Sequence, residues 1–324
     1  MIERRLGTTE RRVSPVGLGC NNFGGRLDRA ASIEVVHAAL DAGITLFDTA
    51  DIYGQRGGSE TILGEALGAR RKDIVLVTEF GLAMDDEGRL KGGSARYVAT
   101  AIEASLKRLK TDWIDLYFLH RPDPQTPIEE TLRALDGLIA QGKVRSIGCS
   151  NFSAAQVTEA ERVASTNGFD RFVACEDQYN LLSRQIEAEL IPAMHAHDLT
   201  LLPYFPLASG MLTGKYRFGA PIPPGTRLSQ ARYSDRFLND ENFRIVEGLR
   251  AFCAGRGRSL LDLAFGWLLS KPVVGCVIAG ASTPEQVRQN VAASGWRLDA
   301  DAMAEVDRLT RRRDKAVASF RPAT

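Results

Sequence analysis

Residues 32–48 read SIEVVHAALDAGITLFD and contain one complete helix-to-strand unit. We predict a helix over Ser32–Asp41, with Ser32 as its N-cap and Gly43 just past its end in the left-handed conformation that glycine favours. The run Ile44–Asp48 that follows is almost continuously apolar, which is typical of a parallel strand buried on both faces. The strand ends in an acidic residue, Asp48.

The same alternation of strand and helix continues along the chain. Amphipathic stretches predicted to be helices separate the apolar runs, among them Arg96–Leu109, Pro127–Gln141 and Ser259–Leu269. The runs predicted to be strands are Val16–Gly19, Ile44–Asp48, Ile74–Thr78, Trp113–Leu119, Val144–Cys149, Phe172–Cys175, Leu199–Tyr204 and Val273–Ala279.

Eight parallel strands alternating with helices predict an α/β fold, a (β/α)8 TIM barrel. An open, doubly wound sheet is the alternative. Two short polar runs before Ser14 predict a β-hairpin that caps the bottom of the barrel. No linker divides the chain, so we expect one domain over residues 1–324. The stretch Met211–Asn239, which includes Pro223-Pro224-Gly225, is predicted to be a long functional loop at the carboxyl ends of the strands.

Composition narrows the class of protein. The formal net charge of the 324 residues is +1, which does not favour nucleic acid or an acidic membrane as a partner. The charged N-terminal residues do not resemble a secretory signal, and no apolar run approaches the ~18 residues of a membrane span. The cysteines are odd in number and lack metal-site spacing, so we expect a cytoplasmic protein with reduced thiols: Cys20, Cys149, Cys175, Cys253 and Cys276.

Polar residues follow most of the predicted strands. Taken singly, each has a structural explanation, as a helix cap or a buried polar group with its partner. Together they converge on the carboxyl rim, where barrel enzymes gather catalytic groups from several strands. The residues are Asp48 and Tyr53 after the second strand, Glu79, His120, Ser150-Asn151 and Glu176.

Four segments carry a resemblance to a known family. They are Phe47–Gly54 (FDTADIYG) with Ser59-Glu60, Ile147–Phe152 (IGCSNF), Tyr204–Lys215 (YFPLASGMLTGK), and Val277–Ser282 (VIAGAS) with Gln286 and Asn290. In this order they resemble the motifs of aldo-keto reductases, in particular a bacterial subgroup that also resembles voltage-gated potassium channel β subunits.

The resemblance implies a catalytic group made of Asp48, Tyr53, Glu79 and His120. Tyr53 would give a proton to a carbonyl oxygen as hydride arrives at carbon, and His120 would orient the carbonyl. The family has a lysine where this chain has Glu79, in Thr78-Glu79-Phe80-Gly81. A carboxylate there raises the pKa of the phenol instead of lowering it. This predicts either impaired carbonyl reduction or a protonated Glu79 that serves as an acid or a substrate contact.

The resemblance also implies a cofactor, NADP(H), with NAD possible. Glu176 is a second departure, since many members have glutamine there to contact the nicotinamide amide. Ser282, Gln286 and Asn290 would bind the adenosine phosphate at a helix start, and Arg227 is a second phosphate ligand. The predicted cofactor residues are Cys20, Ser150, Asn151, Glu176, Tyr204, Phe205, Pro206, Leu207, Ser209, Gly210, Lys215, Arg227, Gly280, Ser282, Gln286 and Asn290, and the predicted substrate residues are Phe23, Phe80 and Arg121.

The sequence therefore predicts an oxidoreductase that interconverts small carbonyl compounds and alcohols, as a monomer or homo-oligomer. The alternative is a catalytically weak NADP(H)-binding sensor or interaction subunit. A glycosidase using Asp48 and Glu79 as its carboxylate pair is a third and weaker hypothesis. No metal site is predicted, because His195 and His197 project about 200° apart on a helix.

Overall fold

The computed structural model describes residues 2–311, and eight parallel strands in it form a barrel. Residue 1 and residues 312–324 of the predicted domain lie outside the described residues. A two-stranded hairpin, β1 (Arg4–Arg5) and β2 (Arg12–Val13), precedes the barrel. The barrel strands are β3 (Val16–Gly19), β4 (Leu46–Asp48), β5 (Val75–Phe80), β6 (Leu116–Leu119), β7 (Ile147–Ser150), β8 (Phe172–Gln178), β9 (Thr200–Tyr204) and β10 (Val277–Gly280).

Each strand from β3 to β9 pairs with its neighbour in chain order, and β10 pairs with β3. The two ends of the sheet meet where the Leu201 N–H donates to the Val273 carbonyl at 2.8 Å and the Gly275 N–H donates to the Leu201 carbonyl at 2.9 Å. The prediction of a (β/α)8 barrel is confirmed, and the open-sheet alternative is wrong.

Helices surround the barrel, and no described helix is long and apolar enough to cross a membrane. Short 3-10 helices lie at Gly68–Asp73, Gln185–Glu187, Ala208–Thr213 and Arg227–Ser229. The α-helices are α1 (Arg29–Asp41), α2 (Tyr53–Leu67), α3 (Ala95–Leu109), α4 (Ile128–Ala140), α5 (Ala154–Asn167), α6 (Leu190–Ala196), α7 (Ala231–Phe237), α8 (Asp240–Ala254), α9 (Leu260–Leu269), α10 (Pro284–Ala293) and α11 (Ala300–Thr310).

Alternate side chains of each strand point into the barrel and out toward the helices. On β4, Leu46 belongs to the interior cluster and Phe47 to the outer one; on β6, Phe118 is interior and Tyr117 outer. The same alternation places Asp48, which follows Leu46 by two, inside the barrel at the carboxyl end. The chemistry of the rim is therefore set by the residue parity of each strand.

The hairpin closes the opposite end, as predicted. Leu6 and Val13 are buried and join the interior cluster. The Gly7 N–H donates to the Thr200 hydroxyl at 2.6 Å, which attaches the hairpin to β9. Water is thereby kept from the amino end of the interior, and the carboxyl end remains as the entrance.

Two local expectations are corrected. Helix α1 begins at Arg29, because the Asp28 carboxylate accepts the Ala31 N–H at 2.9 Å and serves as N-cap. Ser32 lies in the first turn and donates to the Asp28 carbonyl instead. The predicted loop Met211–Asn239 also contains regular structure, since α7 forms within it where its aromatic residues pack over the barrel mouth.

The Ser59-Glu60 pair connects the start of α2 to the strands. The Ser59 hydroxyl donates to the Cys20 carbonyl at 2.9 Å and lies 2.8 Å from the Thr49 hydroxyl. Glu60 is buried, accepts the Thr78 hydroxyl at 2.6 Å and pairs with Arg108 at 2.6 Å. These contacts fix β5 immediately beside Glu79.

Helices α2 and α3 pack so closely that a methyl group at Gly64 would lie 2.6 Å from the Arg108 carbonyl oxygen. We predict that Gly64→Ala lowers the free energy of unfolding by about 1–3 kcal/mol, because backbone atoms cannot yield as a flexible side chain does. Urea denaturation followed by circular dichroism measures this. Gly137→Ala in α4, where a Cβ meets nothing within 4 Å, is the matched control and should stabilise by roughly 0.5–1 kcal/mol. Equal effects at both positions would contradict the packing argument.

Candidate active site

A cavity of about 960 Å³ opens at the carboxyl ends of the strands. Its volume lies at the upper end of the range for ligand pockets in proteins. Of the predicted catalytic residues, all four line it: Asp48, Tyr53, Glu79 and His120. The structure therefore brings together residues from four separate segments of the chain.

Tyr53 stands at the start of α2, and its hydroxyl donates to Glu79 Oε1 at 3.3 Å. The His120 ring lies edge-on to the Tyr53 ring, with centroids 5.8 Å apart. The chain then turns through four left-handed residues, 54–57. Gly54 is required there, because a Cβ would lie 2.5 Å from the Phe23 carbonyl oxygen. This turn fixes the phenol at the cavity floor.

Three carboxyl groups meet beneath the phenol. Asp48, Glu79 and Glu176 each offer an oxygen, and these oxygens lie within 4.8 Å of one another. The three side chains are at most 3% exposed, and among the described residues one oxygen of each has no hydrogen-bond partner. Burial raises the pKa of all three, and the neighbouring carboxylates raise those of Glu79 and Glu176 further. Such a group either holds shared protons or provides three oxygen ligands to a cation.

The charge around Tyr53 is unfavourable for a phenolate. Burial is the largest cause that raises the pKa of Tyr53, followed by Glu79, Asp48 and Glu176. His120 responds in the opposite sense: burial, and then the adjacent Arg121 guanidinium, lowers its pKa to about 3. At neutral pH the site therefore holds a neutral phenol and a neutral imidazole. The distance between His120 Nε2 and Glu79 Oε1 is 3.6 Å.

The other side of the cavity is formed by the segment that follows β9. The Tyr204 hydroxyl donates to Asn151 Oδ1 at 2.7 Å, while Asn151 Nδ2 donates to the His120 carbonyl at 3.0 Å. Three non-glycine residues after Tyr204 adopt positive φ: Phe205, Ala208 and Ser209. Conformations this uncommon persist where the surroundings enforce them, often around a ligand.

Lys215 and Arg227 bring positive charge to this segment. A Cβ at Gly210 would lie 3.3 Å from Lys215 Nζ, so the absence of a side chain at Gly210 allows the Lys215 ammonium group to lie close to the backbone there. Arg227 donates to Asn22 Oδ1 at 2.8 Å and lies over the Phe205 ring. The predicted cofactor residues that line the cavity are Ser150, Asn151, Glu176, Tyr204, Phe205, Pro206, Leu207, Ser209, Gly210, Lys215, Arg227, Gly280, Ser282, Gln286 and Asn290.

Helix α10 begins beside these cationic groups. Thr283 is its N-cap and Pro284 its first residue, as the position of the proline predicted. Ser282 precedes the helix, and its N–H donates to Gln286 Oε1 at 2.8 Å. Backbone N–H groups at a helix start, together with a nearby arginine, are suited to a phosphate.

Three of the predicted ligand residues lie outside the cavity lining. Phe80 is fully buried and stacks on Tyr117 in the outer core, because it follows the inward-pointing Glu79 by one residue. Phe23 and Cys20 are likewise buried in the outer core, and none of the three lines the cavity. Of the predicted substrate residues, Arg121 does line it.

Several lining residues were not predicted from the sequence. They come from strand ends, loops and helices whose positions depend on tertiary packing, and α7 supplies three of the 13. The residues are Gly19, Asn21, Asn22, Arg26, Leu82, Thr213, Tyr233, Arg236, Phe237, Leu261, Ile278, Ala279 and Gln289. The proximity of Asn21 and Asn22 to the predicted Cys20 was the available signal.

Comparison with known proteins identifies the class. The family model described as "Aldo/keto reductase family" matches residues 15–311. A probable voltage-gated potassium channel subunit beta of Oryza sativa is 35% identical over 99% of this chain and 100% of its own length. The chain therefore belongs to the aldo/keto reductase family.

Two further similar proteins are named as enzymes. Aldo-keto reductase YhdN of Bacillus subtilis is 33% identical over 91% of this chain and 89% of its own length. The structure of a glycerol dehydrogenase of Gluconobacter oxydans superposes with a TM-score of 0.83 at 29% identity, covering 98% of this chain and 99% of that one. This membership supports an oxidoreductase whose substrates are small molecules.

The carboxyl cluster predicts a pH-dependent stability. Because the folded-state pKa of Glu79 is raised, the proton on Glu79 stabilises the fold at low pH, and this contribution is lost as pH rises through that pKa. Glu79→Gln, which stays uncharged, should therefore melt at a higher temperature than the parent, by a margin that grows from about pH 5 to about pH 9. Thermal unfolding followed by circular dichroism across this range is the measurement.

Glu159→Gln on α5 is the control, because Arg162 lowers the pKa of that exposed carboxylate and no gain at high pH is expected. A margin that does not change with pH would contradict a neutral Glu79. Loss of parent stability on adding a chelator would show instead that a cation neutralises the cluster.

Proposed function

We propose that this protein is an NADP(H)-dependent oxidoreductase that interconverts carbonyl compounds and alcohols at Tyr53, in one barrel domain spanning residues 1–324. The observation that carries the proposal is the meeting of Tyr53, Glu79 and His120 at the floor of a cavity walled by the Tyr204–Lys215 segment. All five cysteines are free thiols, which is consistent with a cytoplasmic protein.

The residues present fit a phosphorylated dinucleotide. Ser209 Oγ is buried and lacks a hydrogen-bond partner among the described residues, within a segment of strained backbone. Lys215 and Arg227 supply positive charge, and the start of α10 supplies N–H groups near Ser282. These groups would hold the pyrophosphate and adenosine phosphate, and Tyr204, Asn151 and Glu176 would border the nicotinamide. When bound, the cofactor supplies or accepts the hydride. NADP is proposed as the preferred form, and NAD is also compatible.

The side chains of the protein orient the carbonyl group of the substrate and donate one proton to its oxygen. Tyr53 and His120 both reach the cavity as neutral groups, so each can donate a hydrogen bond to a carbonyl oxygen without being depleted at neutral pH. Glu79 in its protonated form either passes its proton through the Tyr53 hydroxyl or donates directly. A lysine there would add a positive charge that favours the developing oxyanion; the neutral carboxyl adds none.

A second function is favoured by one observation. The cavity retains its cofactor-type groups, whereas the carboxyl cluster raises the pKa of Tyr53, and close relatives in rice and Arabidopsis are named as probable potassium channel subunits. A weakly catalytic NADP(H)-binding sensor or interaction subunit would show this combination. Turnover of aldehydes beside cofactor titration distinguishes the two.

Cofactor binding should be independent of Glu79, because the cofactor-type groups belong to other segments. We predict micromolar or tighter NADPH binding with weaker NADH binding, measured by fluorescence titration. Arg227→Gln and Lys215→Gln should each weaken NADPH by about 1–3 kcal/mol, the range for hydrogen bonds to charged groups. Arg162→Gln on the surface of α5 is the control and should leave both affinities unchanged. Equal affinity for NADH and NADPH would contradict the phosphate site.

Glu79→Lys tests the acid–base assignment. A lysine between Asp48 and Tyr53 should lower the pKa of the phenol and raise the reduction rate of an activated aldehyde by roughly 10²-fold. Tyr53→Phe in the same background should abolish the gain. The measurement is a pH–rate profile of the parent, Glu79→Lys and Glu79→Gln, with NADPH affinity and melting temperature recorded for each to verify folding.

The opposite result is equally informative. If Glu79 is itself the working acid, Glu79→Lys and Glu79→Gln will both lose the parent's activity while retaining NADPH affinity. That outcome would contradict the view that the glutamate merely impairs an ancestral lysine site. Parent protein that binds NADPH yet turns over no carbonyl compound would favour the sensor.

A further inference from the structure

Arg121 is a cation at the cavity wall whose charge has no partner in the described chain. It follows His120 directly at the carboxyl end of β6 and lines the cavity. Within residues 2–311, no carboxylate lies within ion-pair distance of its guanidinium, and its buried Nε atom has no hydrogen-bond acceptor. Burying part of a guanidinium without an acceptor is costly, so the position points to a ligand that supplies one.

The cofactor-type groups are on the other side of the barrel. In the ring of eight strands, β6 lies opposite β10, and β10 leads into Gly280, Ser282 and α10. Lys215 and Arg227 belong to the segment that follows β9, the neighbour of β10 across the barrel seam. Arg121 is thus separated from the groups suited to the cofactor's phosphates and directly follows His120, on the side of the barrel opposite β10.

A second arginine faces the same cavity. Arg236 on α7 donates to Gln178 Oε1 at 2.5 Å, at the end of β8, which holds the side chain over the cavity. Burial is the largest cause of its lowered pKa, and the Tyr204 hydroxyl nearby acts in the opposite direction. A partly buried guanidinium beside the cavity attracts an anion.

The floor of the cavity offers no positive charge to an anionic group. Asp48, Glu79 and Glu176 lie below Tyr53 and repel negative charge when ionised. An anionic group on a bound molecule is therefore directed to the wall, and the uncharged end to the floor.

We propose that the substrate is an anionic carbonyl compound, whose carboxylate or phosphate binds Arg121 while its carbonyl reaches Tyr53 and His120, with Arg236 adding attraction from α7. This rests on the proposed oxidoreductase function and narrows it to a substrate class. A planar guanidinium matches both carboxylate and phosphate through paired hydrogen bonds, so the chemistry of the two groups is shared here.

Matched pairs of aldehydes test the proposal on the NADPH-loaded enzyme. Succinic semialdehyde is compared with butanal for the carboxylate, and glyceraldehyde 3-phosphate with glyceraldehyde for the phosphate. We expect kcat/KM to favour the charged member of at least one pair by about 10- to 100-fold, and the pair with the larger ratio identifies the group.

Variants then locate the effect. Arg121→Met should lower kcat/KM for the charged member by about 10-fold more than for the neutral member, so that most of the ratio is lost, and Arg121→Lys should retain part of the ratio. Arg236→Gln should reduce it by a smaller factor. Arg162→Met, on an exposed arginine of α5, is the matched control and should leave every value unchanged. Charged and neutral members used equally well, or an equal loss for both in Arg121→Met, would overturn the proposal while leaving the oxidoreductase function intact.

A binding measurement without turnover distinguishes a failure of the anion site at Arg121 from a failure of the proposed oxidoreductase function. Calorimetric titration of the NADP-loaded enzyme with succinate should give an affinity at least about tenfold above that for its neutral analogue succinamide, lost in Arg121→Met. If the enzyme reduces no aldehyde yet binds succinate through Arg121, the proposed function fails and the anion site stands. Equal affinity for succinate and succinamide would overturn the anion site.

Discussion

The alternation of side chains along parallel barrel strands is the constraint on which this site depends. Leu46, Val77 and Ala174 point into the closed interior, and the residues two positions later have to point the same way. Those residues are Asp48, Glu79 and Glu176, each at or near the end of its strand. None of the three carboxyl groups can therefore turn to the outer face of the barrel, and all three are buried. Their proximity is therefore a property of the barrel, and the apolar layer beneath them fixes the dielectric in which they titrate.

A carboxyl at position 79 gives the whole group a different proton content from the one that a lysine there would give. With a lysine, one aspartate and one ammonium leave the floor near neutrality. With Glu79 beside Asp48 and Glu176, neutrality requires protons instead, because three negative charges within 4.8 Å cannot all be desolvated. The Tyr53 phenol is part of the same equilibrium, since its hydroxyl donates to Glu79. A proton added to or removed from any member shifts the pKa of the others.

The barrel was predictable from the sequence because parallel strands buried on both faces consist of continuous apolar runs. The glycine predicted to end α1 was also correctly placed, since Gly43 has a φ of 78°. The run Val273–Ala279 began before strand β10, because the buried residues ahead of β10 make only an isolated bridge to β9. Phe80 lies outside the cavity lining because it follows the inward-pointing Glu79 by one residue and therefore faces the helices. Arg236 carried no local signal, since its place over the cavity depends on how α7 packs. Polar residues at strand ends were predictable from the alternation of strands and helices, and Lys215 and Arg227 in the segment after β9 were predicted only through the family resemblance.

The difference in charge between the floor and the wall of the cavity can orient a bound small molecule. The floor is acidic and the wall near Arg121 is basic, with neutral Tyr53 and His120 between them. An anionic group that approached the floor would lose hydration without meeting a positive charge, whereas at the wall it would meet a cation that is already partly desolvated. The free-energy difference between the two orientations of one molecule can then exceed that available from shape alone. An acidic floor, which weakens the phenol as an acid, thereby becomes useful for selectivity, because it makes the wrong orientation unfavourable.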